Sequence, residues 1–297
     1  MADKKVGIPV FLVEGENLPE AWERSVLKVW EDGASIRTEY DKEGSPPSKD
    51  ATMTFVVRRP FSEPRLHRAF PGGIEELEKY RLEVVEGIHD HWVKPEEGKW
   101  TYTYHGRLFN YAPVEDLSSS KVSSPFRSVD QIEYVIKKLS ETPHSRRAQA
   151  TTWMPSADPK TYDCPCLQRL WFRIIELEGV KELEMNSHWR SRDAYKAAFM
   201  NIYALTDLQR IVAESISKNL GEKVEVGRYC DISDSYHIYG FYFEEFERSF
   251  LKLVKERSFE KRTWRSDEKS VLYGIKQAHK LLEEERKKER EKGGTGP

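Results

Sequence analysis

Apolar positions along this chain follow two different periods. Short apolar runs, or apolar residues that alternate with polar ones, predict strands over residues 7–14, 53–59, 100–104, 147–153, 170–177 and 182–189. Apolar residues that recur every three or four positions predict helices over residues 18–32, 74–86, 128–142 and 193–220, and a last helix that ends in the charged run 283–292. This mixture of elements predicts an α+β fold in which a mixed β-sheet is flanked by helices.

The order of these elements predicts one domain with extensions. Residues 1–60 form a strand–helix–strand part of that domain, and residues 61–260 form its core. Residues 261–297 form a charged C-terminal helix and a tail.

Composition narrows the class of protein. Hydrophobic residues make up 38% of the chain and aromatic residues 12%, which excludes a disordered protein. No apolar run approaches the roughly 18 residues of a membrane span, and the N-terminus lacks the apolar core of a signal peptide, so we expect a cytoplasmic protein without membrane contact. The net charge of −2 gives no global attraction to nucleic acid.

Three short motifs carry the candidate chemistry. They are Ser145-Arg146-Arg147, Cys164-Pro165-Cys166, and Arg190-Ser191-Arg192-Asp193 followed by Asn201. The second arginine of the pair and Cys166 are 19 residues apart, and Asp193 and Asn201 are 8 apart. The three cysteines lack the spacing of a zinc site, so we expect reduced thiols and no metal.

The order and spacing of these motifs resemble those of the thymidylate synthase family. That family has a twin-arginine strand, a Pro-Cys nucleophile, an R-S-x-D turn and a following asparagine at the same separations. Trp153-Met154-Pro155 is similar to the family's Trp-x-Pro, and His237-Ile238-Tyr239 is similar to its His-x-Tyr. The resemblance covers residues 146–239, about a third of the chain.

The resemblance implies a reaction at C5 of a pyrimidine nucleotide. Cys166 would add to C6 and make C5 nucleophilic toward a one-carbon unit from methylene-tetrahydrofolate or a related reduced pterin. Neighbouring arginines would lower the pKa of its thiol. Cys164 has no such support and is expected to be structural.

The resemblance also implies how the nucleotide is held. Arg190 and Ser191 would bind the phosphate, and Arg37 is a further candidate for it. Arg146 and Arg147 would reach the phosphate from the partner subunit of a homodimer whose sheets pack face to face.

Three further positions match family residues that contact the base, the sugar and the pterin. Asn201 offers an acceptor and a donor that suit N3–H and O4 of uracil, which favours dUMP as the substrate. His237 and Tyr239 correspond to the pair that bonds the sugar 3′-hydroxyl, and Asp193 to the residue that contacts the pterin.

Glu83 or Glu86 is a candidate for handling protons at the pyrimidine ring, because both fall among the apolar positions of their helix. Placement of either one on the solvent side is an equal alternative.

Several departures from the family's pattern alter the folate side of the site and are compatible with a non-standard pterin donor. Leu167 stands where a histidine usually follows the cysteine, and Trp189 where a glutamine precedes Arg-Ser. A charged helix replaces the family's short apolar C-terminus. We expect a synthase that makes dTMP; a deoxypyrimidine nucleotide 5-hydroxymethylase and a non-catalytic nucleotide-binding relative remain alternatives.

Overall fold

The computed structural model describes residues 7–114, 117 and 127–291. Residues 292–297 of the predicted tail lie outside this range. The strands are β1 (Val10–Gly15), β2 (Ala34–Ile36), β3 (Ser48–Val57), β4 (Leu66–His67), β5 (Gln149–Thr151), β6 (Leu167–Leu177), β7 (Val180–Trp189), β8 (Arg192–Asp193), β9 (Val224–Ile238) and β10 (Thr263–Trp264). The helices are α1 (Leu18–Asp32), α2 (Gly73–Glu86), α3 (Tyr104–Phe109), α4 (Gln131–Glu141), α5 (Ala198–Leu220), α6 (Phe243–Phe246), α7 (Lys252–Glu256) and α8 (Lys269–Glu291).

A mixed sheet forms the centre of the fold. Its main path runs β1-β3-β9-β7-β6-β5, with β2 added beside β3 and β8 beside β9. The β1/β3, β7/β9 and β8/β9 pairs are parallel, whereas β3/β9, β6/β7 and β5/β6 are antiparallel. The structure therefore confirms the predicted α+β fold with helices flanking a mixed sheet.

The two faces of the sheet differ because side chains alternate along each strand. One face, which includes Phe55, Phe172 and Met185, is fully buried beneath the helices. The residues of the opposite face lie in rows across the strands, and no helix of the described residues covers them. One such row contains Leu12, Thr54, Ile232, His188, Arg169 and Thr151. We call this second surface the open sheet face.

Helix α5 is the central helix of the buried side. It packs against α1, α2, α4 and the sheet, and 13 of its 23 residues are buried. The predicted start at Asp193 was wrong, because the helix begins at Ala198. The Asp193 carboxylate accepts hydrogen bonds from the backbone N–H groups of Tyr195 and Lys196, so residues 193–197 form a turn instead.

The strand predicted over residues 100–104 was also wrong. Thr103 is the N-cap of α3, and its hydroxyl accepts the N–H of Gly106 at 2.9 Å. Capping chemistry here overrides the alternating pattern of aromatic and threonine side chains.

No described helix is long and apolar enough to cross a membrane.

The C-terminal helix α8 packs along α2. Gly274 lies at the closest approach, where an added Cβ would be 2.7 Å from a side-chain carbon of Ile74. Polar contacts follow further along α8, with His279 bonded to Glu78 at 3.0 Å and Lys79 to Glu285 at 2.8 Å. The helix is therefore docked by apolar packing and by polar contacts along α2.

Gly274→Leu is expected to lower thermal stability, although leucine is the better helix former. Overpacking costs about 1–3 kcal/mol, which exceeds the roughly 1 kcal/mol gained in helix propensity. Calorimetry should show a fall in Tm of a few degrees. Lys276→Leu, on the exposed side of the same helix, is the control and should change Tm little. Equal Tm values for the two variants would contradict the close packing of α8 on α2.

Candidate active site

Cys166 occupies the loop just before β6, where Arg190 holds the backbone in place. The Cys166 carbonyl accepts the N–H of Arg190 at 2.9 Å. The Arg190 guanidinium donates to the carbonyls of Pro165 at 3.1 Å and Cys164 at 2.8 Å. On the other side, the N–H of Leu167 donates to the Tyr104 hydroxyl at 3.3 Å. These contacts fix a half-buried thiol between the ends of two strands.

Burial raises the pKa of the Cys166 thiol above its ordinary range, while the charges of Arg190 and Arg192 act in the opposite direction. Asp163 and Cys164 add to the upward shift. The predicted effect of the neighbouring arginines is therefore confirmed in direction, but the net pKa of the thiol is raised in the single unliganded chain. The arginines oppose the shift, but desolvation is larger.

The turn from Arg190 to Asp193 points its two arginines in opposite directions. Arg190 faces the cysteine loop, whereas Arg192 is buried and forms an ion pair with Asp231. Arg192 also donates to the carbonyl of Ala198 at 3.0 Å and lies 4.0 Å over the Trp189 ring. Ser191 between them is half-buried.

Asp193 is half-buried at the end of this turn. Burial raises the pKa of its carboxyl group to about 6, against the opposing effect of the two backbone N–H groups that it accepts. The carboxyl group is therefore largely ionised at neutral pH and takes up a proton as the pH falls through about 6.

Asn201 and Glu83 lie on two helices that meet beside the cysteine loop. Asn201 is 5% exposed, and its amide nitrogen donates to the Tyr80 hydroxyl at 2.6 Å. Glu83 lies one turn after Tyr80 and lines a cleft of about 420 Å³ with Tyr80, Trp100, Tyr102, Tyr104 and Asp163. Glu83 also hydrogen-bonds His89 at 3.0 Å.

Glu86 does not share this environment. Its side chain is exposed, one residue before the glycine that ends α2. The burial that suggested a role in proton handling is absent at this position, so the structure brings only Glu83 to the cleft.

His237 and Tyr239 end strand β9 next to the same turn. Their rings lie 4.5 Å apart, with His237 buried and Tyr239 half-buried. Burial raises the pKa of Tyr239, and the charges of Asp193 and Cys166 raise it further, so these groups share one electrostatic neighbourhood. Tyr40, from the loop after β2, packs against Tyr239 at 6.5 Å.

Arg37 is in the loop that carries Tyr40. Its guanidinium is 61% exposed, donates to the carbonyl of Ser45 at 2.7 Å and lies 3.6 Å from Asp41. These contacts hold the guanidinium within its own loop in the unliganded chain.

Arg146 and Arg147 lie at the far end of the edge strand. Both are exposed, and neither guanidinium has an ion-pair partner among the described residues. Gln149 pairs with Trp171 in antiparallel register, so Arg147 lies opposite Arg173. Arg173 is seven residues from Cys166 along the chain. At about 3.3 Å per residue this separation is roughly 20 Å. Within one chain the arginine pair is not part of the cysteine site.

Several residues of the site were missed by sequence analysis: Tyr40, Tyr80, Tyr104, Arg192 and Asp231. Arg192 and Asp231 are 39 positions apart, and nothing in the local pattern of either links them. Only the pairing of β8 with β9 brings them together. A charged residue within a buried strand, such as Asp231, is the one signal that could have marked such a pair.

Comparison with known proteins agrees with this geometry. The family model described as thymidylate synthase matches residues 74–279. A protein of Methanosarcina mazei described as "Putative thymidylate synthase" is 30% identical over 77% of this chain and 89% of its own length. A protein of Methanocaldococcus jannaschii with the same description is 27% identical over 76% of this chain and 90% of its own.

A solved structure is similar in fold. The thermostable thymidylate synthase A from Bacillus subtilis superposes with a TM-score of 0.55 at 20% identity, over 79% of this chain and 84% of that one. The family model covers more than half of the chain and includes Cys166, Arg190 and Asn201. This chain belongs to the thymidylate synthase family.

Proposed function

We propose that this protein transfers a one-carbon unit from methylene-tetrahydrofolate, or a related reduced pterin, to C5 of dUMP and releases dTMP. The observation that carries the proposal is the half-buried Cys166 thiol, clamped by Arg190 beside a cleft that Glu83 lines. Family membership gives the reaction class, and the residues of the cleft suit a pyrimidine nucleotide.

Cys166 is the nucleophile of this proposal. Its thiolate adds to C6 of the pyrimidine, which places negative charge on the ring and makes C5 nucleophilic. C5 then bonds to the methylene carbon and loses its proton, and the bond between that carbon and the pterin nitrogen breaks. A hydride from the same reduced pterin, which is thereby oxidised to a dihydropterin, converts the methylene to a methyl group as the bond between sulfur and C6 breaks and the thiolate is restored. Two observations support this role. The hydrogen bonds from Arg190 hold the backbone of the cysteine loop, and the Cys166 thiol itself is not part of a disulfide.

Arg190 and Ser191 bind the phosphate in the proposal. Arg190 uses its guanidinium on two carbonyls of the cysteine loop, and a guanidinium has five N–H donors, so donors remain for a phosphate. One arginine then links the phosphate to the loop that carries the nucleophile. Nucleotide binding and the position of the thiol are coupled through this side chain.

Asn201 selects the base. Its amide group has two hydrogens, one of which is donated to Tyr80, so the other remains for O4 of uracil while the side-chain oxygen accepts N3–H. Tyr80 thereby orients the amide toward a uracil. Glu83, in the adjoining cleft, is placed to move protons at the ring through water.

His237 and Tyr239 contact the sugar, and Asp193 contacts the pterin. These roles follow the family motif and are supported by the grouping of all three residues near the Arg190 turn. Arg37 has no such support from its position in the unliganded chain.

In this proposal a second copy of the chain supplies further positive charges that bind the phosphate. Arg147 is in line with the exposed Gln149 and Thr151 on the open sheet face, because side chains alternate along the strand. The same face exposes 74% of Val10 and 64% of Leu12, an apolar surface that a partner would cover. Packing of two open faces would carry Arg147 toward the partner's site.

The first prediction concerns the thiol. In a chain with Cys164→Ser and Cys230→Ser, alkylation of Cys166 should accelerate with pH, with a midpoint above that of an ordinary cysteine. Arg190→Gln should raise this midpoint, because a cation that stabilises the thiolate is lost. Each pKa unit slows alkylation at neutral pH about tenfold.

The control for this measurement is Arg286→Gln, which removes an exposed arginine of α8. Rate against pH is followed by mass spectrometry of the intact protein. If the Arg190→Gln profile coincides with that of the control, Arg190 does not act on the thiol.

The second prediction tests the function. Cys166→Ser should abolish conversion of dUMP in the presence of methylene-tetrahydrofolate, because a hydroxyl is a far weaker nucleophile at neutral pH, whereas nucleotide binding should persist. Cys164→Ser is the matched control, two residues away in the same loop, and should stay active. The product mass identifies dTMP.

Other results of the same assay would overturn the proposal. A hydroxymethylated product would make the protein a hydroxymethylase, and binding of dUMP without any product would make it a non-catalytic relative. Equal loss of activity in both cysteine variants would mean that Cys166 alone is not the nucleophile.

The third prediction tests the partner subunit. Cys166→Ser and Arg147→Ala proteins should each be nearly inactive, but mixing them under conditions of subunit exchange should restore activity. One site of the heterodimer then has an intact cysteine and an intact arginine from different chains.

Mixing Cys166→Ser with Arg190→Ala is the control for this experiment. Both of those residues serve their own subunit's site, so no heterodimer has a complete site and no recovery is expected. Failure of the first mixture to recover, with heterodimers demonstrated by native mass spectrometry, would place Arg147 outside the partner's site.

A further inference from the structure

A chain of three polar residues crosses from β3 to β9 and ends at His237. Asp50 of β3 is the register partner of His237 on β9. The Ser235 hydroxyl donates to the Asp50 carboxylate at 2.7 Å and lies 3.2 Å from Nδ1 of His237. Asp50 is 5% exposed and His237 is 4% exposed, so both ends of the chain are inside the protein.

The direction of these hydrogen bonds fixes the tautomer of His237. A serine hydroxyl has one proton, and an ionised carboxylate can only accept, so that proton points to Asp50. The hydroxyl oxygen is then an acceptor toward Nδ1, which must carry the ring proton. The other ring nitrogen, Nε2, consequently has a free lone pair.

The charge state agrees with this assignment at neutral pH. Burial lowers the pKa of His237 to about 4, against the opposing effects of a hydrogen bond to the Ser235 backbone and of the Asp41 charge, so the ring is neutral. Burial raises the pKa of Asp50 to about 6, against the opposing hydrogen bond from Ser235, so the carboxyl group is mostly ionised.

Nε2 of His237 is buried and has no hydrogen-bond partner among the described residues. Buried acceptors are nearly always paired, and one left unpaired costs stability unless a ligand completes it. Tyr239, whose ring lies against His237, borders the Cys166 site. The unpaired nitrogen is thus one side chain away from the proposed nucleotide.

We propose that Asp50 and Ser235 are positioning residues that hold His237 in the Nδ1–H tautomer, so that Nε2 accepts a hydrogen bond from a hydroxyl of the nucleotide sugar. The identity of the ligand rests on the proposed function, whereas the tautomer does not. The site should therefore favour a nucleotide with a free 3′-hydroxyl over one without it.

The tautomer is tested by NMR of the ligand-free protein labelled with ¹⁵N-histidine, with His237→Gln to assign the signal. The wild type should show His237 Nδ1 as the protonated ring nitrogen and Nε2 as the unprotonated one. Ser235→Ala should move the equilibrium toward Nε2–H, because the hydroxyl acceptor of the Nδ1 proton is gone and only the hydrogen bond to the backbone of residue 235 is left. A protonated Nε2 in the wild type would overturn the assignment.

Ser233→Ala is the matched control. Ser233 lies two residues earlier on β9 and makes a similar bond to a buried aspartate, Asp231, at 2.9 Å, but it does not touch His237. Its variant should leave the His237 signals unchanged. A signal that moves equally in both serine variants would show a general loosening of β9 and overturn the proposed role of Ser235.

The ligand is tested by calorimetry with dUMP and 2′,3′-dideoxyuridine monophosphate. The wild type and Ser233→Ala should prefer dUMP by about tenfold, the usual worth of one hydrogen bond, and Ser235→Ala and Asp50→Asn should lose this preference. Equal binding of both nucleotides to the wild type would overturn the hydroxyl contact. If neither nucleotide binds, the proposed function fails, and the NMR result still decides the tautomer.

Discussion

The fold and the site both depend on the buried ion pair between Arg192 and Asp231. A buried charge that loses its opposite charge costs several kcal/mol. Arg192 is that opposite charge for Asp231, and Tyr229, Ser187 and Ser233 each add a hydrogen bond to the carboxylate. These bonds join β7, β8 and β9 below the surface of the site.

The ion pair also affects the position of Arg190, two residues before Arg192. Side chains two residues apart on one strand point to the same face of the sheet. Arg190 and Arg192 do not share a strand, because Arg190 lies in the turn between the end of β7 and the start of β8. Because Arg192 is committed to the interior, the turn is anchored, and Arg190 is left at the surface to hold the carbonyls of the cysteine loop. A buried, ion-paired arginine and a half-buried one that binds the cysteine loop therefore occur two residues apart in the sequence, and their contacts are not interchangeable.

This arrangement explains how far the sequence could predict the molecule. The alternation in β6 and β7 predicted a sheet, and the spacing of Cys166 from the arginine pair indicated the family, because both signals are local or fixed by motif. The contacts that complete the site join distant segments. Asp50 and Ser235 are 185 positions apart, and only the antiparallel register of β3 and β9 brings them together. Glu86 shows the opposite failure, since helical spacing alone could not tell which side of the end of α2 faces solvent.

The C-terminal helix α8 is connected to the cleft by a series of side-chain contacts. Glu83, the cleft carboxylate, bonds to His89, and the His89 ring stacks on Trp92 at 3.8 Å. The Trp92 indole in turn donates to Glu289 of α8 at 2.6 Å. Three contacts thus connect the proposed proton-handling group to a helix more than 180 residues later in the sequence. Since α8 is itself held on α2 by the close approach at Gly274, the packing of these two helices and the contacts through His89 and Trp92 join the same two parts of the fold.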